Sequence, residues 1–141
     1  MDAVWVDEVY IGTAKSQDTW TYSKLCAGIE NVSFAENAQN QQYFFLCKNG
    51  FATNKVTGAA PALTISGRRI VGDTAQDYVA SKQGTVGDAR DSSIKLISGG
   101  KQIICDCTLS DIISFGGQSL DVNAFGVTVL FNGEPTITDV A

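Results

Sequence analysis

Hydrophobic positions along this chain recur mostly at every second residue, the spacing of strands with one buried face. Val4 and Val6 alternate, then Val9 and Ile11, with acidic Asp7 and Glu8 between. Trp20 and Tyr22 alternate with threonines, and Val32 and Phe34 with Asn31 and Ser33. Leu63 and Ile65 alternate with Ala62, Thr64 and Ser66 until Gly67 interrupts, as a bulge or a close backbone approach would. The clearest alternation runs over Lys101–Leu109. There Ile103, Cys105, Cys107 and Leu109 face one way, and the mostly polar set Gln102, Ile104, Asp106 and Thr108 faces the other. Beyond it, Leu120, Val122 and Ala124 stand on even positions but Val127, Val129 and Phe131 on odd ones. That change of phase predicts an extra residue, a bulge, near Phe125-Gly126. Asn132-Gly133 and Pro135 predict the end of this strand and a short tail over 134–141.

Two segments break the one-sided pattern. Gln42–Cys47 is apolar on both faces, with Tyr43, Phe45 and Cys47 on one and Phe44 and Leu46 on the other. Such a strand must be covered twice. It is either a central strand under the helix, or one whose second cover comes from a neighbouring subunit. Asn49-Gly50 predicts a hairpin turn into Phe51–Thr57, and Gly99-Gly100 another between Ser93–Ser98 and Lys101–Leu109. The second break is helical, over about 73–83. Asp73 is placed to cap it, and Gln76 three residues on completes a D-x-x-Q capping box. Ala75, Tyr78, Val79 and the stem of Lys82 share one face. Many short strands and one helix predict a mainly β single domain over 1–141: a small β-sandwich or split barrel with one flanking α-helix.

Composition narrows the functional classes. Ten Lys and Arg against 15 Asp and Glu leave a net charge of −5 over 141 residues. This argues against a surface that grips nucleic acid, which needs a cationic patch, but not against one that nucleic acid slides past. No apolar run approaches the roughly 18–20 residues of a membrane span, so no membrane partner is expected. The start, MDAVWVDEVYIG, lacks a basic n-region and predicts no secretory signal. Cys26, Cys47, Cys105 and Cys107 are expected as reduced core thiols; their spacing is wrong for a zinc knuckle.

The chain has no histidine, which removes Ser-His-Asp, Cys-His and His-ligated metal sites. Walker and G-x-G-x-x-G loops are absent too. Paired carboxylates of the glycosidase kind stay open, but Asp106, Asp111 and Asp121, on or beside late strands, carry no spacing that sets two of them at the required separation. Asp88 and Asp91 around Arg90 miss the ligand spacing of an EF-hand and read as a salt-bridged turn. The expectation is no enzyme, no cofactor and no metal.

Five segments carry a resemblance. V-T-G-A-A-P (Val56–Pro61), S-G-R-R (Ser66–Arg69) and G-D-x-A-Q-D-Y (Gly72–Tyr78) are followed by G-x-x-G-D-A-R-D-S (Gly84–Ser92) and F-x-G-x-P-T (Phe131–Thr136). In this order they resemble the tail tube protein (major tail protein) family of tailed bacteriophages. The likeness covers about the last two thirds of the chain, and Gly72–Tyr78 is its most specific part. Thr74 stands where relatives have proline at the first helical position, a departure that leaves the helix intact. The first 55 residues match in pattern only.

The resemblance implies a small β-sandwich or split barrel, six copies to a ring, and rings stacked into a hollow tube through which DNA passes during ejection. It implies itself as chief partner, with a tape measure protein, a tail terminator and baseplate or tail-tip proteins as others. Its place would be the virion tail, assembled in the host bacterial cytoplasm. A ring-stacking loop is expected over Lys48–Ala60, carried by Lys48, Asn49, Gly50, Phe51, Asn54 and Lys55. The arm 1–16 and the tail 134–141 are expected to join subunits, with Phe44, Leu46, Arg68 and Arg69 at interfaces. Asp106 and Asp121, assigned to polar sides of late strands, are the lumen-facing acidic candidates, and Asp73 and Gln76 the helix cap. Two other readings stand beside this one. The first is the inner tube of a contractile tail or a tail-like bacteriocin. The second is a carbohydrate-binding or adhesin sandwich, in which Trp5 and Trp20 would stack on sugars.

Overall fold

The structure, a computed structural model, describes residues 3, 7–17 and 19–139. The alternation of Val4 and Val6, the role given to Trp5, and the extreme ends of the arm and tail lie outside the described residues. Among the described residues nine strands follow one another, with one α-helix among them: β1 (Glu8–Ser16), β2 (Thr19–Lys24), β3 (Ile29–Ala35), β4 (Ala38–Phe44), β5 (Ala52–Ala59), β6 (Ala62–Arg68), β7 (Asp91–Ser98), β8 (Lys101–Ile113) and β9 (Ala124–Asp139). The helix is α1 (Thr74–Ser81). Seven strands form one sheet in the order β2-β1-β7-β8-β9-β6-β3, every neighbouring pair antiparallel, while β4 and β5 pair with each other as a separate ribbon.

The sheet curls so that strands distant in its order meet. The short link Leu25–Gly28 joins the two edge strands. Its first residue donates to Val9 O of β1 at 2.8 Å, and its last accepts from Arg68 N of β6 at 2.7 Å. Inward side chains therefore share one core: Ile11, Ile94, Cys107 and Leu109 from one half, Leu63, Ile65, Phe125, Val127 and Val129 from the other, with Ala75 and Val79 of α1. Each fully buried large side chain contributes about 1.5–3 kcal/mol. The predicted architecture, mainly β as a small sandwich or split barrel with one flanking helix, is what the chain forms: an antiparallel, curled sheet with α1 packed against it.

Local details follow the predicted punctuation. Gly99-Gly100 turns β7 into β8 with Ser98 opposite Lys101. The predicted face of β8 is buried at Cys105, Cys107 and Leu109. Gly67 is a close approach: a Cβ there would lie 2.2 Å from Gly28 O, and the bulge belongs to facing β3, where Ile29 and Asn31 oppose Gly67 and Ser66. Thr74–Ser81 is capped by Asp73, whose carboxylate accepts from Gln76 N at 3.2 Å.

Glu8–Ser16, where the alternation of Val9 and Ile11 predicts a short strand in the arm, are β1, paired on both sides. Two expectations about the strands are corrected. No phase change occurs within β9: its pairing with β6 runs unbroken from Ala124 to Leu130, because Leu120 and Val122 belong to an exposed loop. The extra residue lies on β8 instead, where Asp111 takes a positive φ of 50° and Asp111-Ile112 oppose Val127 alone. Finally, the tail is not a tail up to residue 139. Gly133–Pro135 bulge opposite Cys105, and the strand resumes with Ile137 against Ile103 and Asp139 against Lys101. Pro135 falls within the bulge, where its missing N–H breaks no ladder.

Candidate assembly surfaces

The Gln42–Cys47 segment is no central strand. Polar Gln39–Gln42 form most of β4, which ends at Phe44, and Leu46–Lys48 make a 3-10 turn. Asn49 (φ 54°) and Gly50 (φ 86°) then form the turn that Asn-Gly favours, closed by Phe51 N donating to Lys48 O at 3.0 Å. The predicted loop over Lys48–Ala60 is thus the tip and second strand of a hairpin that begins at Ala38. Asn54 accepts from Gln42 across the ribbon at 3.4 Å, and Lys55 pairs opposite Gln41. Tyr43 and Phe45 stack with ring centroids 5.9 Å apart.

That tip is apolar and wet. Phe44 is 67% exposed, Phe51 75% and Leu46 102%. A two-stranded hairpin is marginal by itself in water, and contiguous exposed apolar surface marks a contact region. Its charged residues are Lys48 and Lys55, both cationic in a chain of net charge −5. Cys47 is exposed at this tip, against the expectation of a core thiol.

Arg68 and Arg69, expected at interfaces, find partners within the chain. Arg69 donates to Asp77 Oδ1 at 2.7 Å and to Ile70 O at 2.7 Å, with its side chain only 12% exposed. The ion pair and the Gly72 N–H hold the Asp77 carboxyl below its ordinary range, the arginine being the larger cause. Arg68 reaches Glu30 at 3.4 Å and Val122 O at 3.3 Å.

Gln76, expected to close a reciprocal capping box, turns inward instead. Its amide donates to Ala27 O (2.6 Å) and Arg68 O (3.0 Å), and its oxygen accepts from Ile70 N at 2.8 Å. One buried side chain therefore ties α1 to β6 and to the link between the sheet edges. Among the described residues no buried side-chain nitrogen or oxygen lacks a partner.

The two lumen candidates do not come together. Asp106 is exposed on β8 between Ser93 and Asn132. Asp121 is on no strand: it lies in the loop before β9, where its carboxylate accepts from Gln118 N at 2.9 Å. The turn around Arg90 is not salt-bridged either, since Arg90 donates to Thr85 O and Leu109 O, and Asp91 accepts from Thr108. Trp20 packs over Gly12 beneath Lys15, an arrangement that leaves little ring face for a sugar. Among the described residues no three His, Cys, Asp or Glu gather as metal ligands, and no helix is long and apolar enough to cross a membrane.

Where the curled sheet stays open, a cleft of about 510 Å³ separates β1 and β7 from β3 and β6. Its floor is apolar, with Leu25, Val32, Leu63, Leu96 and Ile103, and Phe34 stands at its side. Its rim carries Asp7, Glu8 and Glu30, with Lys24 bonded to Glu8 at 3.2 Å. That lysine, and Tyr10, lower the pKa of Glu8. Cys26 lines the same cleft and is exposed, the second departure from the expected core thiols. Cys105 and Cys107 are core thiols, and burial pushes Cys107 up to about 12. Sequence pattern alone missed the cleft and half of the hairpin. A signal for the hairpin was present, since Gln39–Gln42 is polar on both faces, unlike any strand of a core.

No protein-family model matches the chain, and neither does any curated protein. Among solved structures it is similar to a chain in the tail of an empty GTA (gene transfer agent) particle, determined by helical refinement with C6 symmetry. The TM-score is 0.69 at 11% identity, over 93% of this chain and 94% of that one. The likeness is one of fold: mainly β, antiparallel, with one helix.

Proposed function

We propose that this protein is the structural subunit of a phage-type tail tube. Six copies would form a ring, and rings would stack into a hollow conduit for DNA ejection. The observation that carries the proposal is the apolar-tipped hairpin on an otherwise self-sufficient barrel, in a fold shared over nearly its whole length with a chain from a C6-symmetric tail. Among the described residues the outer edges of β2 and β3 lack strand partners. Closure by neighbouring copies removes such edges. The work is assembly and passive conduction, without catalysis, cofactor or metal.

In this reading the chain resides in the virion tail after assembly in the host bacterial cytoplasm. A tape measure protein, a tail terminator and baseplate or tail-tip proteins bound its length. Exposed Asp106 remains a lumen candidate, where a carboxylate repels phosphate within about 8 Å at physiological salt. Negative-stain microscopy of concentrated protein is expected to show rings or tubes. Monomers that persist under all conditions, a tape measure partner included, would overturn the proposal. A contractile inner tube has the same subunit logic, and a neighbouring sheath gene would separate the two.

A further inference from the structure

We propose that the hairpin tip of one copy seats in the cleft of another, so that the contact between copies is a heterologous plug and socket. The inference rests on the tail-tube reading and names its contact. Three independent features of the two surfaces match. The first is polarity. Phe44, Leu46 and Phe51 present apolar surface without cover, and the cleft of about 510 Å³ offers half-buried Val32, Leu96 and Ile103 with exposed Phe34 at its side, over the core residues Leu25 and Leu63. That volume lies within the roughly 300–1,000 Å³ of ordinary binding pockets, enough for two or three large side chains.

The second is charge. Lys48 and Lys55 are the charges of the hairpin, and the cleft rim has Asp7, Glu8 and Glu30. Against these stand Lys24, which pairs with Glu8, and Arg68, which pairs with Glu30, so the balance there is still acidic. Opposite signs orient the encounter, and like signs disfavour tip-to-tip or cleft-to-cleft pairing. The third is topology. Tip and cleft are different patches of one chain, so their union is head-to-tail. Such a union propagates into rings or filaments rather than closing as a dimer.

The protein carries its own reporters. Cys47 belongs to the tip and Cys26 to the cleft, and both are exposed. Docking brings thiols of two copies together. A disulfide demands Cβ atoms about 3.5–4.5 Å apart, so cross-linking reads the geometry. The test adds diamide to full-length protein at increasing concentration. Two S–H bonds break and one S–S bond forms. The two electrons and two protons pass to the N=N bond of diamide, which becomes a hydrazine.

A ladder of multimers on a non-reducing gel is expected, with Cys26–Cys47 peptides joining chains of different isotope label. Either Cys26→Ser or Cys47→Ser should abolish the ladder, and Lys48→Glu with Lys55→Glu should slow it by roughly tenfold at low salt. Tubes that give no Cys26–Cys47 product, or cross-linking that stops at Cys47–Cys47 dimers, overturn the docking and leave the tail-tube reading standing. The product without rings or tubes supports the docking and overturns that reading. Absence of both overturns both.

Discussion

The barrel and the hairpin use the same kinds of residue to opposite ends. In the barrel, Ile65, Phe125 and Val129 are sealed, and even the amide of Gln76 has both donors and its acceptor satisfied. In the hairpin, Phe44, Leu46 and Phe51 face solvent, and the ribbon pairs with itself alone among the described residues. The difference teaches a division of labour. One region has its stability inside a single chain; the other has surface whose burial requires a second molecule.

The sharpest contrast is chemical. Cys107, pushed up to about 12 by burial, stays protonated near pH 8, where an ordinary thiol is partly thiolate. In dilute protein, a chromogenic disulfide reagent is expected to modify Cys26 and Cys47 promptly, and Cys105 and Cys107 only after denaturant. Four equally reactive thiols would mean that the barrel is not sealed. The sign for stability follows. The raised pKa contributes stability present below the ordinary value of 9.0 and lost as pH rises from there towards 12.

Next in size is Gln76→Leu. It removes the partners of Ala27 O, Arg68 O and Ile70 N together, and about 3 kcal/mol of stability should go with them, read from the urea midpoint. An unchanged midpoint would mean that Gln76 does not tie the barrel. Asp77→Asn acts more weakly. Because the Asp77 pKa is lowered in the fold, its stabilisation is present above the ordinary 3.8 and lost as pH falls through the folded value. Wild type should therefore exceed the variant at neutral pH, with the gap closing in acid. A gap that persists in acid would assign the effect to packing rather than charge.

Legibility from sequence tracked how local the cause was. The cap of α1 by Asp73, the Gly99-Gly100 turn and the two faces of β8 depend on residues a few positions apart, and all were readable. Asn49-Gly50 was readable as a hairpin turn into Phe51–Thr57, but the first strand was read too late in the chain, because apolar Tyr43–Leu46 imitates a core strand while β4 runs through the polar Gln39–Gln42. The bulges were misplaced for a physical reason. Leu120 and Val122 imitate the start of β9 but belong to the loop before it, so their phase relative to Val127 and Val129 carries no information about a bulge. The extra residue sits at Asp111 on β8, a residue type that tolerates positive φ. Gln76 was found as a cap residue, but its inward role depends on carbonyls at Ala27 and Arg68 that only the fold brings near. The cleft has no sequence signature, since its walls come from β1, β3, β6, β7 and β8.

The smallest expected effect on stability comes from Leu46→Ser with Phe51→Ser, within about 0.5 kcal/mol, since neither side chain is buried. The same pair gives the most direct test of the division of labour, by sedimentation velocity of wild type and variant over rising concentration. Wild type is expected to shift into fast-sedimenting assemblies, while the variant stays monomeric with an unaltered urea midpoint. Equal assembly by both proteins, or a variant that unfolds, would contradict the account.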